Sequence, residues 1–359
     1  MTQTETEAPP EPVDWALAER VARRFAGRDP IATSYLGRSL SSDFSAVTSE
    51  AEQLVGDFTG LRAPGTASAC VLDRPQWVHA NVSSMRRLLH PLTTRVGERM
   101  ARSPIAPIGR RVAGTEMGVL LGFMAQRVLG QYDLLVPDDT DGPTPAANDA
   151  VYYVGPNILA LEKRYAFRPR DFRLWIAIHE VTHRAQFTAV PWLKEYFLSL
   201  IDEALAIVDP DPGRLVQAVM RAADELRKGH NPLDDGGLVA LLASSEQRGV
   251  LARVQALMSL LEGHGNSVMN ELGRLHVAGQ ERMARVLQAR RRSRGVAGLL
   301  YKLLGFESKL RQYEVGEAFV AAVEREGGPR AIDAAWRGPE SLPTIDELAR
   351  PEAWLERVA

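Results

Sequence analysis

The five residues His179-Glu180-Val181-Thr182-His183 constrain this chain more than any other stretch of it. On a helix, positions four apart share one face about one turn along, so both imidazoles can reach one cation from the same side. Glu180 projects beside the pair, where its carboxylate can touch a water held by the metal. Zinc brings the pKa of such a water toward neutrality, and a nearby carboxylate can take its proton. One piece of chemistry thus accounts for the residue types and for their spacing. With seven His in 359 residues, chance occurrence of this pattern is expected only roughly 0.01 times.

The flanks predict a buried helix over about 169–189. Pro169 sits in a first turn, and Phe172, Trp175, Ile176 and Ile178 make an apolar approach. Pro191 stops the helix two turns after His183. Two imidazoles and a carboxylate in such a helix need partners or a metal. Cys70 is the chain's single cysteine, which excludes an internal disulfide framework and a cysteine-rich zinc knuckle. Any zinc here takes His and carboxylate ligands.

The third ligand must come from elsewhere in the chain. A metzincin would need glycine at position 186 and histidine at position 189, and Gln186 and Ala189 stand there. Glu195, Glu203, Glu225, Glu246, Glu262 and Glu271 remain as candidates. Glu262 stands out because it interrupts an apolar stretch (Val254, Leu257, Met258, Leu260 and Leu261 before it, Val268 and Met269 after) with Gly263 and Gly265 close by. A carboxylate in a core-like helix is costly unless partnered, and a cation is a natural partner. Asn266, one turn on, could hydrogen-bond that ligand from behind. His264 lies about 200° from Glu262 round a regular helix, which makes it a surface residue or a transition-state donor rather than a ligand. His79, His90, His230 and His276 have no ligand partner at helical spacing and read as structural.

The rest of the chain is ordinary globular protein, 45% hydrophobic and 25% charged. A formal net charge of −2 favours neither nucleic acid nor an anionic membrane as partner. The run Arg290-Arg291-Arg292-Ser293-Arg294 reads as a solvated helix end, where cations suit the dipole and Gly295 can cap. Residues 1–11 lack the basic and apolar regions of a signal peptide and read as a disordered acidic tail. The longest apolar run, Met117 to Ala125, is too short for a membrane span, so a cytoplasmic protein is expected. Residues 12–359 read as a single mostly helical domain, divisible into a helical part over 12–135 and a zinc-site part over 150–345.

Helical spacing dominates the organisation. Trp15, Ala18, Ala22 and Phe25 form one stripe, closed by Gly27, and a further helix runs from Trp77 to Leu89. Gly114, Gly118 and Gly122 recur every four residues in the patterned segment from Gly114 to Tyr132. Each interior glycine costs roughly 1 kcal/mol against alanine, so the stripe predicts close approach of another helix. Residues 136–150 read as a loop and Val151 to Val154 as a short strand. Later helices are expected at about 191–208, 212–228, 236–275 (broken) and 277–293, and Thr344 with Glu347 forms a capping box.

With these residues in place, the chain resembles a zincin-like family common in actinomycetes, whose members are labelled zinc-dependent metalloprotease, hydrolase or deazaflavin-coenzyme biosynthesis-associated protein. The matching segments are Val13-Asp14-Trp15, Arg74-Pro75-Gln76-Trp77 with Asn81, Val128 to Asp133, and Val154 to Asn157 with Glu162. Asp171-Phe172-Arg173 then leads into the histidine helix, followed by Leu261 to His264, Lys309 to Tyr313, and Leu342 to Ile345. The resemblance implies a mainly α, zincin-like metalloprotease fold with a small β-sheet next to the zinc-binding helix. It implies Zn²⁺ on His179 and His183, supports Glu262 as third ligand, and makes Glu180 the catalytic carboxylate.

The function expected is a zinc-dependent hydrolase, a metallopeptidase cleaving peptide or amide bonds with a zinc-bound water activated by Glu180. Its partner would be a peptide or small amide substrate, lying against the Tyr152–Val154 strand edge, with no nucleic acid and no membrane. The alternative is a catalytically silent, zinc-stabilised binding or scaffold protein linked to redox-cofactor metabolism.

Overall fold

Helix outweighs strand throughout the residues that this computed structural model describes, which are 11–27, 35–93, 106–134, 149–206, 245–292 and 307–359. The chain divides into two units, residues 1–49 with 66–173, and residues 50–65 with 174–359. Residues 1–10 of the expected tail and the loop over 136–148 fall outside the described residues.

In the first unit, α1 (Trp15–Ala26) begins where the Asp14 carboxylate accepts from the Leu17 N–H, and Gly27 closes it at φ 70°. After α2 (Tyr35–Thr59) comes β1 (Ser68–Leu72). Next, α3 (Arg74–Leu88) opens on a reciprocal capping box between Asp73 and Gln76. The unit continues with α4 (Ala106–Ala125), β2 (Gly130–Tyr132), β3 (Ala150–Val154) and α5 (Gly155–Tyr165). Helix therefore ends at Ala125, and the tail of the patterned segment is strand instead.

The three strands form one sheet in the order β1-β3-β2. β1 pairs parallel to β3 from Ser68–Ala150 to Leu72–Val154, and β2 pairs antiparallel to it from Gly130–Tyr153 to Tyr132–Val151. Being the middle strand, β3 is buried along its whole length, and the Tyr153 ring stacks on Phe44 of α2 with centroids 4.0 Å apart. Both of its edges are occupied, so it offers no free edge on which an extended peptide could pair.

The glycine stripe meets its partner helix as its spacing predicts. A Cβ at Gly114 would lie 2.6 Å from the Asp14 carbonyl oxygen, one at Gly118 2.6 Å from that of Ala18, and one at Gly122 2.7 Å from that of Ala22. Positions 114, 118 and 122 of α4 thus abut 14, 18 and 22 at matching spacing. Polar side chains tie this unit internally. The Trp77 indole donates to Gln131 (2.9 Å), the Gln131 amide to Asn81 (3.2 Å), and the Asn81 amide back to the Trp77 carbonyl (2.9 Å). Asn157 donates to the carbonyls of Ala125 and Val128 and accepts from Arg74 Nε. Arg173 grips both oxygens of buried Glu162, at 2.8 and 2.9 Å, and also meets Asp43.

The second unit takes in most of α6 (Pro169–Ala189) and then α7 (Leu193–Ala206), α8 (Ser245–His276), α9 (Gln280–Arg292) and α10 (Glu307–Gly327). Two 3-10 turns, Ala331–Trp336 and Pro339–Ser341, lead to α11 (Ile345–Leu348) and α12 (Pro351–Val358). α11 opens on the capping box of Thr344 and Glu347. The core joins Leu193 and Leu200 of α7, Leu257, Leu260 and Leu261 of α8, Phe319, Val320 and Val323 of α10, and Trp354 of α12. α8 and α10 touch backbone to backbone, since a Cβ at Gly263 would meet the Gly316 carbonyl carbon at 2.2 Å and one at Gly316 the Ser259 oxygen at 2.0 Å. Over its described span α8 is a single continuous helix, not a broken one. The helix expected over 212–228 lies outside the described residues, as do Ser293 and Arg294 of the basic run. Among the described residues no helix is long and apolar enough to cross a membrane.

Two substitutions on α4 separate the packing role of its glycines from helix propensity. Gly109→Ala adds a methyl with nothing within 4 Å and should stabilise the protein by about 0.5–1 kcal/mol. Gly118→Ala gains the same propensity but drives a methyl into α1, for a net loss of about 1–3 kcal/mol. Urea denaturation of both variants gives the two signs directly. A stabilised Gly118→Ala would disprove the close packing.

Candidate metal centre

α6 is buried on nearly every side. Leu174, Trp175, Ile176, Ala177, Ile178, Val181 and Ala185 are all inaccessible to solvent or almost so. Polar residues on such a helix must find internal partners. Thr182 donates to the Ile178 carbonyl at 2.7 Å. Arg184, 1% exposed, binds Glu52 at 2.6 Å and the Pro64 carbonyl at 2.9 Å, both in the 50–65 segment of the same unit.

His179 and His183 stand one turn apart with their rings nearly perpendicular and their Nε2 atoms 3.2 Å from each other. From α8, Glu262 brings its Oε2 to 3.8 Å from each of those nitrogens. The point equidistant from the three atoms lies roughly 2.1 Å from each, the length of a zinc bond to imidazole nitrogen or carboxylate oxygen. Two imidazoles and one carboxylate are also a ligand set that zinc takes in sites with an open fourth position. The residues present therefore fit the ion that the sequence implies.

Local backbone choices make this convergence possible. A Cβ at Gly265 would press on the rings, at 3.2 Å from His183 Cε1 and 3.3 Å from His179 Cε1. Glycine at 265 lets α8 come up against the imidazoles, while glycine at 263 admits α10 against a different part of the helix. Glu180, about 100° further round α6 from His179, is buried as well.

Behind the imidazoles lies a buried polar chain. His183 Nδ1 is 2.9 Å from Gln186 Oε1, and Gln186 Nε2 is 2.9 Å from His264 Nδ1 and 3.0 Å from the Leu261 carbonyl oxygen. Gln186 is wholly inaccessible and His264 is 3% exposed. Burial, and after it the neighbouring His183, push the His264 pKa down to about 4, so the ring is neutral. Its other side rests edge-on against Trp336. The expectation of His264 as a surface residue thus fails, and so does that of Asn266 as a hydrogen-bonding support. Asn266 is buried, but among the described residues neither atom of its amide has a hydrogen-bond partner.

The other candidate ligands go elsewhere or lie outside view. Glu203 pairs with Arg253 and Glu271 with Arg274, Glu195 is exposed, and Glu225 and the Glu246 side chain are outside the described residues. His79 bonds Glu19 at 2.9 Å. Gln186 is the member of this polar chain that the sequence marks only by its departure from the metzincin pattern. Its position three residues after His183, on the same face of a buried helix, was the available signal.

Comparison with known proteins places this geometry in context. No curated protein matches the chain. Among solved structures, one from Chloroflexus aurantiacus, described as a candidate hydrolase with a novel fold, is 31% identical, with a TM-score of 0.69. The match covers 96% of this chain and 98% of that one. The model of the zincin-like metallopeptidase family matches residues 13–355, and the chain belongs to that family.

Proposed function

We propose that this protein is a zinc-dependent hydrolase that cleaves peptide or amide bonds. The observation that carries the reading is the triangle of His179, His183 and Glu262, whose three donor atoms lie within 4.8 Å of one another. Membership of the zincin-like metallopeptidase family and likeness to a hydrolase candidate support the same class of chemistry.

His179 and His183 would hold Zn²⁺ through Nε2, and Glu262 through a carboxylate oxygen. Bound there, the ion supplies Lewis acidity, acidifying a water and polarising the carbonyl to be attacked. Two neutral imidazoles and one carboxylate leave one positive charge uncompensated, which suits the oxyanion that develops. Glu180 takes the proton of the attacking water and delivers it to the leaving amine.

Two measurements test this, one of metal binding and one of turnover. Titrating zinc into metal-stripped protein should raise the thermal midpoint, with a stabilisation of about 2.7 kcal/mol at a free zinc concentration 100 times Kd. Glu262→Gln should weaken zinc binding at least about 100-fold, beyond the roughly 10–100-fold cost of disturbing an outer partner. Unchanged affinity in that variant removes Glu262 from the ligand set. Glu180→Gln should keep full zinc content while hydrolysis of a peptide library falls about 10²–10⁴-fold. Turnover that survives Glu180→Gln rules out the proposed base. Full zinc content with no cleavage by the wild type points instead to a silent zinc-stabilised protein.

A further inference from the structure

The protons on the chain from Leu261 through Gln186 to the two histidines can be assigned from one fixed group. A backbone carbonyl oxygen accepts hydrogen bonds and never donates them. The end of the Gln186 amide that lies 3.0 Å from the Leu261 oxygen must therefore be its NH₂. That orientation turns Oε1 toward His183 Nδ1, 2.9 Å away. Oε1 is in turn only an acceptor, so the hydrogen of that bond sits on His183 Nδ1. A neutral imidazole with its proton on Nδ1 carries its lone pair on Nε2, and Nε2 is the atom facing His179 Nε2 and Glu262. The second N–H of the Gln186 amide meets His264 Nδ1 at 2.9 Å, so that nitrogen accepts and the His264 proton is on Nε2.

We propose that Gln186 is a positioning residue that locks His183 in the Nδ1–H tautomer, presenting the Nε2 lone pair to the cation, and locks His264 in the opposite tautomer. The role rests on the metal reading above for its purpose, but the proton positions follow from the hydrogen bonds alone. The alternative arrangement, with His183 protonated on Nε2, would require the amide to flip. The flip would set two acceptors, Gln186 Oε1 and the Leu261 oxygen, against each other inside the core, where unpaired polar atoms are most costly. The anchor is also mechanically stiff, because Leu261 immediately precedes Glu262 on α8. One side chain thereby fixes the ring on α6 and ties it to the helix segment that carries the third ligand. Outer partners of metal-bound histidines orient the ring in this way.

The test uses metal-free full-length protein labelled with ¹⁵N at histidine, in which long-range proton–nitrogen spectra distinguish the two tautomers. Signals are assigned with His183→Asn and His264→Asn. Wild type should show His183 as Nδ1–H and His264 as Nε2–H, and an Nε2–H signature at His183 overturns the proposal without any Gln186 variant. Gln186→Leu should lose the His183 preference and bind zinc about 10–100-fold more weakly. Gln186→Glu keeps an acceptor toward His183 but loses the donor. It should preserve the Nδ1–H form of His183 while His264 switches to Nδ1–H, and the acceptor left facing the Leu261 oxygen should lower the stability read by urea denaturation. A Gln186→Leu protein that folds, keeps the His183 tautomer and binds zinc as wild type does refutes the role. Loss of zinc binding in wild type itself would sink the metal reading, and the tautomer spectra would still decide the positioning claim.

Discussion

Two imidazole nitrogens 3.2 Å apart, each 3.8 Å from the same carboxylate oxygen, crowd three polar groups together where solvent reaches them only in part. Where neither nitrogen carries a proton their lone pairs repel, and a partly buried carboxylate gains from positive charge nearby. A divalent cation at the common point answers both demands at once. The geometry of the second unit follows from holding those three atoms still. α6 supplies two of them and α8 the third, and the approach of the two helices is set by the absence of a side chain at Gly265. α8 is in turn pinned from another direction by the bare contact of Gly263 with Gly316 of α10. Glycine is a poor helix former, so its presence at both positions marks where closeness outweighs propensity.

The first unit solves its packing with the same device and a different polar inventory. Three glycines of α4 take the carbonyls of Asp14, Ala18 and Ala22 at contact distance. Trp77, Asn81 and Gln131 close a ring of hydrogen bonds, Asn157 satisfies the carbonyls of Ala125 and Val128, and Arg173 saturates Glu162. These residues belong to the segments by which the chain resembles its family, and here they have a structural reason. Each satisfies a backbone or side-chain group that burial would otherwise leave unpaired.

Much of this was legible in the sequence, for identifiable reasons. The histidine pair was legible because four-residue spacing on a helix is geometry, not context. Glu262 could be picked out because a carboxylate in a run of Val, Leu and Met has few explanations. The glycine stripe and the capping boxes at Asp73 and Thr344 were local patterns as well, although the first of those boxes was not read in advance. β1 and β2 escaped because Ser68–Leu72 lacks the run of β-branched and aromatic residues that marks β3 and Gly130–Tyr132 is only three residues long, so their strand character comes from pairing with β3. His264 was misjudged because its distance round the helix from Glu262 suggested the outside of the molecule. A long helix packed on several sides has no outside along its middle, and α8 is such a helix. Asn266 shares the stripe of Glu262, yet sharing a stripe did not bring a hydrogen bond.

The polar residues of α6 sharpen the case for the site more than the histidines do alone. A helix serving only as core would carry apolar side chains at 182, 184 and 186, where exposure is nil or nearly so. Instead Thr182 folds back on its own carbonyl, Arg184 reaches Glu52 and Pro64, and Gln186 spans His183, Leu261 and His264. Each carries a desolvation cost that apolar packing would avoid, and such networks add rigidity only when every member is satisfied. Rigidity is the property a preformed ligand set needs, since displacement of a ring by even a fraction of an ångström changes how three donors meet one ion. Arg184 restrains the helix, Gln186 restrains the ring, and His264, kept neutral by burial, closes the network without adding a second positive charge beside the cation position. The sequence departs from apolar economy along the very turns of α6 that bear His179 and His183.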